Sequence, residues 1–343
     1  VPNSWHTDPV TSPPDEAAFT DAIERHRHEL RVHCYRMLGS YTDAEDLVQE
    51  TFLRAWKGFA SFEGRSSLRA WLYRIATNAC LDWLDGHPRR VLPHHLAGPS
   101  DPSVGLPPRT DVSWLEPFPD HELVAPADAG PDAVVVERET IELAFLAALQ
   151  FLPPRQRAAL ILRDVHGWPA SDTATALALS VPAVNSALQR ARSTLRDHLP
   201  ERRSDWRATA VPTAVEQQLL NRYLDAVRRA DLDAVVELLA EDVRTTMPPW
   251  PMWFQGRENV RRALQSSWDP AVPDDYVGEF AVRLVGANRQ PAVASYTRQP
   301  GESVYRAFAI GVIRVEGEHI TEITAFHDLA LFPIFGLPSE VDR

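Results

Sequence analysis

The chain has 343 residues, of which 44 % are hydrophobic and 24 % charged, with a formal net charge of −12. It is longer than one average domain and ordinary in composition, so two or three folded units are expected and a chain disordered throughout is excluded. Its longest apolar stretches, such as 307–313, fall far short of the roughly 20 residues of a membrane-spanning helix, and the net acidity argues against a chain that binds nucleic acid over its whole surface.

The mean charge hides a pattern. Residues 54–90 carry seven bases and three acids, residues 100–142 ten acids and two bases, and residues 143–203 eight bases and four acids. Two basic segments therefore flank an acidic one, and local charge decides whether a face attracts phosphate. Asp8, Asp15 and Glu16 with no apolar run beside them do not read as a secretory signal. Cys34 and Cys80 without a CxxC make no disulfide framework, and a cytoplasmic location is expected.

In chain order, residues 1–14 are polar and expected to be disordered. Residues 15–88 have helical periodicity throughout. Ten prolines lie between Pro88 and Pro131, a density that excludes regular helix or sheet and marks 89–132 as an acidic linker. Helical periodicity returns over 133–200, and 201–212 form a joint. Residues 213–334 predict a helix pair (215–239), a third helix at 256–264, and strands over 277–287, 292–298, 305–315 and 320–327, with Glu316-Gly317 as a hairpin turn. Residues 335–343 are a tail, although Leu331, Phe332, Ile334 and Phe335 make 329–338 too apolar to be free. The fold class is thus multidomain: two all-α domains and a C-terminal α+β domain.

His28 and His33 stand five apart, about 140° around a helix, and cannot share a metal. No glycine-rich phosphate loop, GxSxG or Cys/His cluster occurs, so no metal, cofactor or catalytic set is expected.

Three segments carry more. In 41–56, Ala44, Leu47, Val48, Phe52, Ala55 and Trp56 form an apolar stripe. Thr42 or Asp43 is the expected cap, and Asp43, Asp46, Glu50 and Arg54 face the other way. On spacing alone, a solvated face with a Glu50–Arg54 pair is favoured. In 62–84, Leu68, Leu72, Ile75 and Ala79 form a core stripe. Arg65, Arg69, Trp71, Tyr73, Arg74 and Asn78 mix positive charge with rings, a combination suited to unpaired nucleic-acid strands, although each ring is at least as well explained as core. In 172–192, a short helix meets a break near Leu179-Ser180, and Ser180 can cap a second helix that has Pro182 in its first turn. Val184, Leu188, Ala191 and Leu195 face inward; Asn185, Ser186, Gln189, Arg190 and Arg192 face out. That is a helix-turn-helix whose second helix suits the major groove.

Together, "YTDAEDLVQETFLRAW", "WLYRIATNACLDWL" and "LPPRQRAALILRDVHGWPASDTATALALSVPAVNSALQRARSTL" resemble the extracytoplasmic-function branch of the sigma-70 family over about residues 15–200, in the family's order and spacing. The resemblance implies a subunit that directs RNA polymerase core to promoter DNA and performs no covalent chemistry itself. It implies that Asp46, Gln49 and Glu50 dock on the β′ clamp helices. Phe62, Arg65, Arg69, Trp71, Tyr73, Arg74 and Asn78 would hold melted −10 DNA. Ser180, Asn185, Ser186, Gln189, Arg190 and Arg192 would read the −35 element while their domain rests on the β flap. Most such proteins have a basic residue on each side of the recognition-helix serine; Asn185 and Ala187 flank Ser186 here, which weakens isolated −35 binding. The acidic linker, with "WLEPFPD" (114–120), stands where the family's chain threads toward the active-site channel.

Residues 213–334 resemble the SnoaL-like cone fold, a curved sheet wrapped by helices around a pocket. Tyr223, Trp250, Met252, Trp253, Phe254 and His327 are candidate pocket residues for a small-molecule ligand. His327 and Asp328 are neighbours on a strand and point to opposite faces, which argues against a catalytic pair. The expectation is regulation in cis by this domain, with contacts through 329–338. The alternatives are a ligand-responsive helix-turn-helix regulator that acts without polymerase and a cone-fold enzyme with a DNA-binding appendage.

Overall fold

The computed structural model describes residues 16–62, 64, 66–123, 141–199 and 214–342. They fall into two compact units. The first takes its residues from 16–89 and 122–199, the second from 90–121 and 214–342.

The first unit is helical. α1 (Glu16–Glu24) and α2 (Arg27–Leu38) lead to Gly39, whose φ of 72° ends α2 in the left-handed region that glycine enters freely. α3 (Tyr41–Gly58) is capped by Ser40, whose Oγ accepts the Asp43 N–H at 3.1 Å. The cap therefore lies two residues before Thr42 and three before Asp43, because the helix already begins at Tyr41. α4 (Leu68–Leu84) is capped by Ser67. α5 (Leu143–Leu149), α6 (Pro154–Leu160, continued by a π-helical turn over Ile161–Val165), α7 (Ala170–Leu177) and α8 (Val181–His198) complete it.

α2 is nearly featureless in its hydrophobic pattern because it is covered all round. Glu29, His33 and Arg36 are buried along with its apolar residues, as α3, α4 and α6 pack around it. Arg157 of α6 is 2 % exposed and donates to the carbonyl oxygens of Met37, Gln150 and Leu152 and to Gln150 Oε1. Burial pushes its pKa down to about 10, so it stays charged at neutral pH, and these acceptors fix α6 to the end of α2.

The second unit is a curved sheet in the order β2-β1-β6-β5-β4-β3, with β7 pairing β5. Its strands are β1 (Leu239–Thr246), β2 (Trp253–Gln255), β3 (Glu279–Ala287), β4 (Gln290–Arg298), β5 (Tyr305–Glu316), β6 (His319–Phe326) and β7 (Glu340–Val341). Only β1 and β6 run parallel. α9 (Ala214–Arg228), α10 (Leu232–Leu238) and α11 (Arg257–Trp268) join one face of the sheet in a core that includes Leu220, Val243, Phe254, Val282 and Ile313.

The other face is covered by 90–121. Trp253 pairs in register with Thr246, and Thr246 with Thr324, which places Trp253 opposite the helix-side Phe254. The Trp253 indole donates to the Ala97 carbonyl at 2.8 Å and the Ser100 N–H to the Trp253 carbonyl at 2.8 Å. At the far edge, the β3–β4 turn has Asn288 and Arg289 at φ 57° and 56°, a tight two-residue hairpin. Phe118 and Asn288 exchange two hydrogen bonds at 2.8 and 2.9 Å, and the Arg289 N–H donates to Asp120 Oδ1 at 2.7 Å. The stretch read from sequence as a linker does lack long helices and strands, having only short 3-10 turns and isolated bridges among its described residues. It is nevertheless a strap laid across the sheet, because Leu115, Pro117 and Phe118 bury apolar surface that proline-rich backbone can offer without strand pairing. The residues 124–132 of that expectation lie outside the described residues.

The tail is also structured. α12 (Leu331–Ile334) buries Leu331 and Phe332, whose ring meets Tyr296 at 5.3 Å, and β7 pairs Tyr305 with Val341. The apolarity of 329–338 is thus satisfied within the second unit.

Candidate polymerase and nucleic-acid interfaces

On α3, Ala44, Leu47, Val48, Thr51, Phe52 and Ala55 are buried. Asp46 and Gln49 are exposed, and two apolar side chains continue their face, Leu53 (55 % exposed) and Trp56 (43 %). Trp56 therefore leaves the core stripe that periodicity assigned it, touching only the edge of Phe19 at 5.4 Å. Glu50 accepts from Arg54 at 2.8 Å, and Arg54 reaches Asp82 of α4 at 2.7 Å. These pairs are largely exposed and worth a few tenths of a kcal/mol, so they orient Glu50 more than they stabilise the helices.

On α4, two assignments change. Trp71 is 7 % exposed and Tyr73 fully buried. α4 has a second neighbour besides α2 and α3: α6 and α7 pack on it, and the Tyr73 ring meets His166 at 4.9 Å and Trp168 at 5.8 Å. Its hydroxyl donates to Glu29 at 3.1 Å. Trp71 joins Phe59 and Phe62 in an aromatic cluster, with Phe62 at 4.8 Å and still half-exposed. In this arrangement neither Trp71 nor Tyr73 reaches a DNA strand. Leu68 and Ile75, expected in the core stripe, are only partly buried. Arg69 pairs with Glu29 at 2.7 Å and lies over the Tyr73 ring at 4.9 Å, so its charge points inward. Burial would raise the Glu29 carboxyl, but the His26 hydrogen bond and Arg69 charge hold it below its usual value. Arg74 and Asn78, one turn apart, are exposed. Arg65 lies outside the described residues.

Sequence reasoning missed His33. It is fully buried, with Nδ1 3.1 Å from His166 Nε2 and Nε2 2.9 Å from Thr77 Oγ1. Burial, then the charges of His166, Arg36 and Arg69, hold its pKa well below the ordinary histidine value, so the ring is neutral. The only signal in the sequence was a histidine at an otherwise apolar helical position. His28 and His33 share no site, and among the described residues no group of His, Cys, Asp and Glu is placed to hold a metal.

The helix-turn-helix forms as the spacing predicts. α7 ends at Ala178, whose φ of 51° is left-handed, and Ser180 caps α8 by accepting the Ala183 N–H at 3.3 Å. Val184, Ala187, Leu188, Ala191 and Leu195 are buried. Asn185, Ser186, Gln189, Arg190 and Arg192 are exposed. Asn185, Leu188, Gln189, Arg192 and Arg196 line a groove of about 510 Å³ with Arg163. Arg192 is held there by Asp164 through two bonds of 2.6 and 2.8 Å. Ala187 is 5 % exposed, so the position where the family has a base is packed against the domain.

In the second unit, Phe254 is part of the helix-side core and His327 stands between the rings of Trp250 (5.1 Å) and Phe308 (4.8 Å). Tyr223 and Met252 pack against the same core. Trp253 is not a pocket residue: it faces the strap, because neighbours on a strand point to opposite faces.

The chain matches Sigma-70 region 2 over residues 22–90, Sigma-70 region 4 over 142–195 and a SnoaL-like domain over 220–323. It is 45 % identical over 326 residues to the ECF RNA polymerase sigma factor SigG of Mycobacterium tuberculosis, covering 94 % of this chain and 85 % of the relative. SigM of the same organism is 33 % identical over 183 residues, covering 53 % of this chain and 76 % of SigM. The crystal structure of the M. tuberculosis extracytoplasmic function sigma factor SigJ superposes with a TM-score of 0.58 at 25 % identity, covering 94 % of this chain and all of that one. No helix among the described residues is long and apolar enough to cross a membrane. The chain therefore belongs to the extracytoplasmic-function RNA polymerase sigma factors, in a form that carries a C-terminal SnoaL-like domain.

Proposed function

We propose that α3 docks on the clamp helices of polymerase β′ through Asp46, Gln49 and Glu50, that Phe62, Arg65, Arg74 and Asn78 hold melted −10 DNA, and that the α8 face of Asn185, Ser186, Gln189 and Arg190 reads the −35 element with its domain on the β flap. One observation carries this reading: α3 and α8 each bury a full apolar stripe and still present polar side chains on consecutive turns. Asn and Gln suit adenine edges and Arg suits guanine, each good contact being worth about 1–3 kcal/mol of discrimination.

The second unit regulates these activities in cis and takes a small-molecule ligand. What supports the first part is connectivity: the stretch that joins the region 2 and region 4 modules along the chain, 90–121, belongs to the second unit and is hydrogen-bonded to its sheet. The segment expected to thread toward the active-site channel, 114–120, is held there, so threading requires its release.

The test is in-vitro transcription with core polymerase. Asp46→Arg with Glu50→Arg should abolish core binding with helical content intact; undiminished co-purification refutes the α3 assignment. A chain stopped near residue 205 should differ from the full chain in promoter activity, and equal activity at equal concentration refutes regulation in cis.

A further inference from the structure

The sheet of the second unit is buried on the wrong side for a solid core. Along β6 the strap-facing residues Glu322, Thr324 and Phe326 are 8 %, 1 % and 3 % exposed, while Ile323 and Ala325, on the helix side, keep part of their surface. The helix-side residues Met247, Met252, Trp268 and Phe308 also keep part of theirs, although they pack against the core. A helix-covered face that stays half-open is hollow.

The floor of that hollow is small by sequence. Gly311 pairs with Val293 and Ala325 in register, so the centre of the sheet there carries a hydrogen and a methyl group. A Cβ at Gly311 would meet nothing closer than Ile323 Cγ2 and the Val293 oxygen, both at 3.8 Å. Rings stand along the rim in sequence Trp268, Phe280, Phe308, His327, Trp250, each 4.8–6.2 Å from the next. His327 is the polar group among them. Its ring is hydrogen-bonded to the Phe308 backbone, and burial brings its pKa down to about 4. It is therefore uncharged at neutral pH, and a neutral imidazole that donates through one nitrogen accepts through the other.

We propose that the hollow binds a flat, uncharged, largely apolar ring compound with one hydroxyl, which lies over Gly311 and Ala325 and donates to His327. The rings supply stacking and edge contacts, the small floor supplies room, and a charged ligand is excluded because no opposite charge stands among the rim rings. This rests on the ligand-taking reading of the second unit and gives that ligand its chemistry.

The experiment is calorimetry on the full chain without polymerase, so that it is independent of the transcription result. The probes are 2-naphthol, 2-methoxynaphthalene, which has no donor, and 2-naphthalenesulfonate, which is charged. One 2-naphthol should bind per chain with Kd on the order of 100 μM, and the sulfonate should not bind. His327→Phe keeps a ring between Trp250 and Phe308 and should weaken 2-naphthol about tenfold while leaving 2-methoxynaphthalene unchanged. Gly311→Leu should abolish both, and Ala325→Leu, a second floor-filling variant, should do the same. Each variant is used only with an unfolding transition like that of the parent, and either floor variant suffices. No binding of 2-naphthol, equal loss of both neutral probes in His327→Phe, or full binding in a folded floor variant overturns the proposal. Binding with no change in transcription leaves the site standing and refutes only its regulatory use.

Discussion

Asp120→Asn is the sharpest test of the strap. The Asp120 carboxyl sits against Gly286, where there is no room for a side chain, and accepts the Arg289 N–H at 2.7 Å. Burial, only partly offset by that hydrogen bond and the Arg289 charge, pushes its pKa up from 3.8 to about 6. The docked strap thus holds a proton more tightly than the free chain. Docking is weakest, and flat with pH, above about 6. It strengthens by up to about 1.4 kcal/mol for each unit of acidification between about 6 and 4. The shift of roughly two units means that ionisation costs docking up to about 3 kcal/mol at pH 7.5. Asparagine keeps the carbonyl oxygen for Arg289 and carries no charge. It should therefore slow amide exchange at Phe118, Asn288 and Arg289 by ten- to about a hundredfold at pH 7.5, and remove the pH dependence. Exchange that is equal or faster in the variant would refute the burial argument. So would protection in the parent that does not rise from pH 7 to 5 once intrinsic rates are divided out.

Ala178→Gly should stabilise the helix-turn-helix by about 1 kcal/mol, because Ala178 holds a φ of 51° against its own Cβ; a denaturation midpoint that fails to rise counts against it. Asp164→Ala should free Arg192 and steepen the salt dependence of promoter binding by the polymerase complex by about one phosphate contact, whereas an unchanged slope means Arg192 touches no phosphate. His33 has its pKa lowered, so the neutral ring is what the packing needs; protection of 161–168 against exchange should be full above pH 6.5 and fall below it, at up to about 1.4 kcal/mol per unit, and His33→Gln should flatten that profile. Tyr73→Ala should unfold or loosen the first unit by about 3–5 kcal/mol, while Asn78→Ala should leave stability unchanged and reduce permanganate reactivity of the melted −10 region; a Tyr73→Ala chain as stable as the parent is the contrary result.

What the chain declares by itself is whatever repeats with a local period or sits at a turn. The stripe Ala44, Leu47, Val48, Phe52 and Ala55, the Ser180 cap, the inward Val184, Leu188, Ala191 and Leu195, and the strands β3 to β6 all follow from spacing, because a helix or strand projects its side chains at fixed angles whatever lies beyond. Identity as a sigma factor was legible for the same reason, in three such segments in order. What covers a face is not encoded in any local window. That α6 and α7 close over α4 made Tyr73 core rather than a strand contact, and the same closure placed His166 against His33. A proline-rich acidic run reads as a tether until a sheet is present to receive it. Phe118 and Asp120 find their partners 170 and 169 residues away, on a hairpin turn whose two left-handed residues expose the amides that bind them. Trp253 was assigned to the pocket by its aromaticity and went to the strap by its parity on β2, since the pleat gives alternate residues to opposite sides and only the assembled sheet says which side is the hollow one.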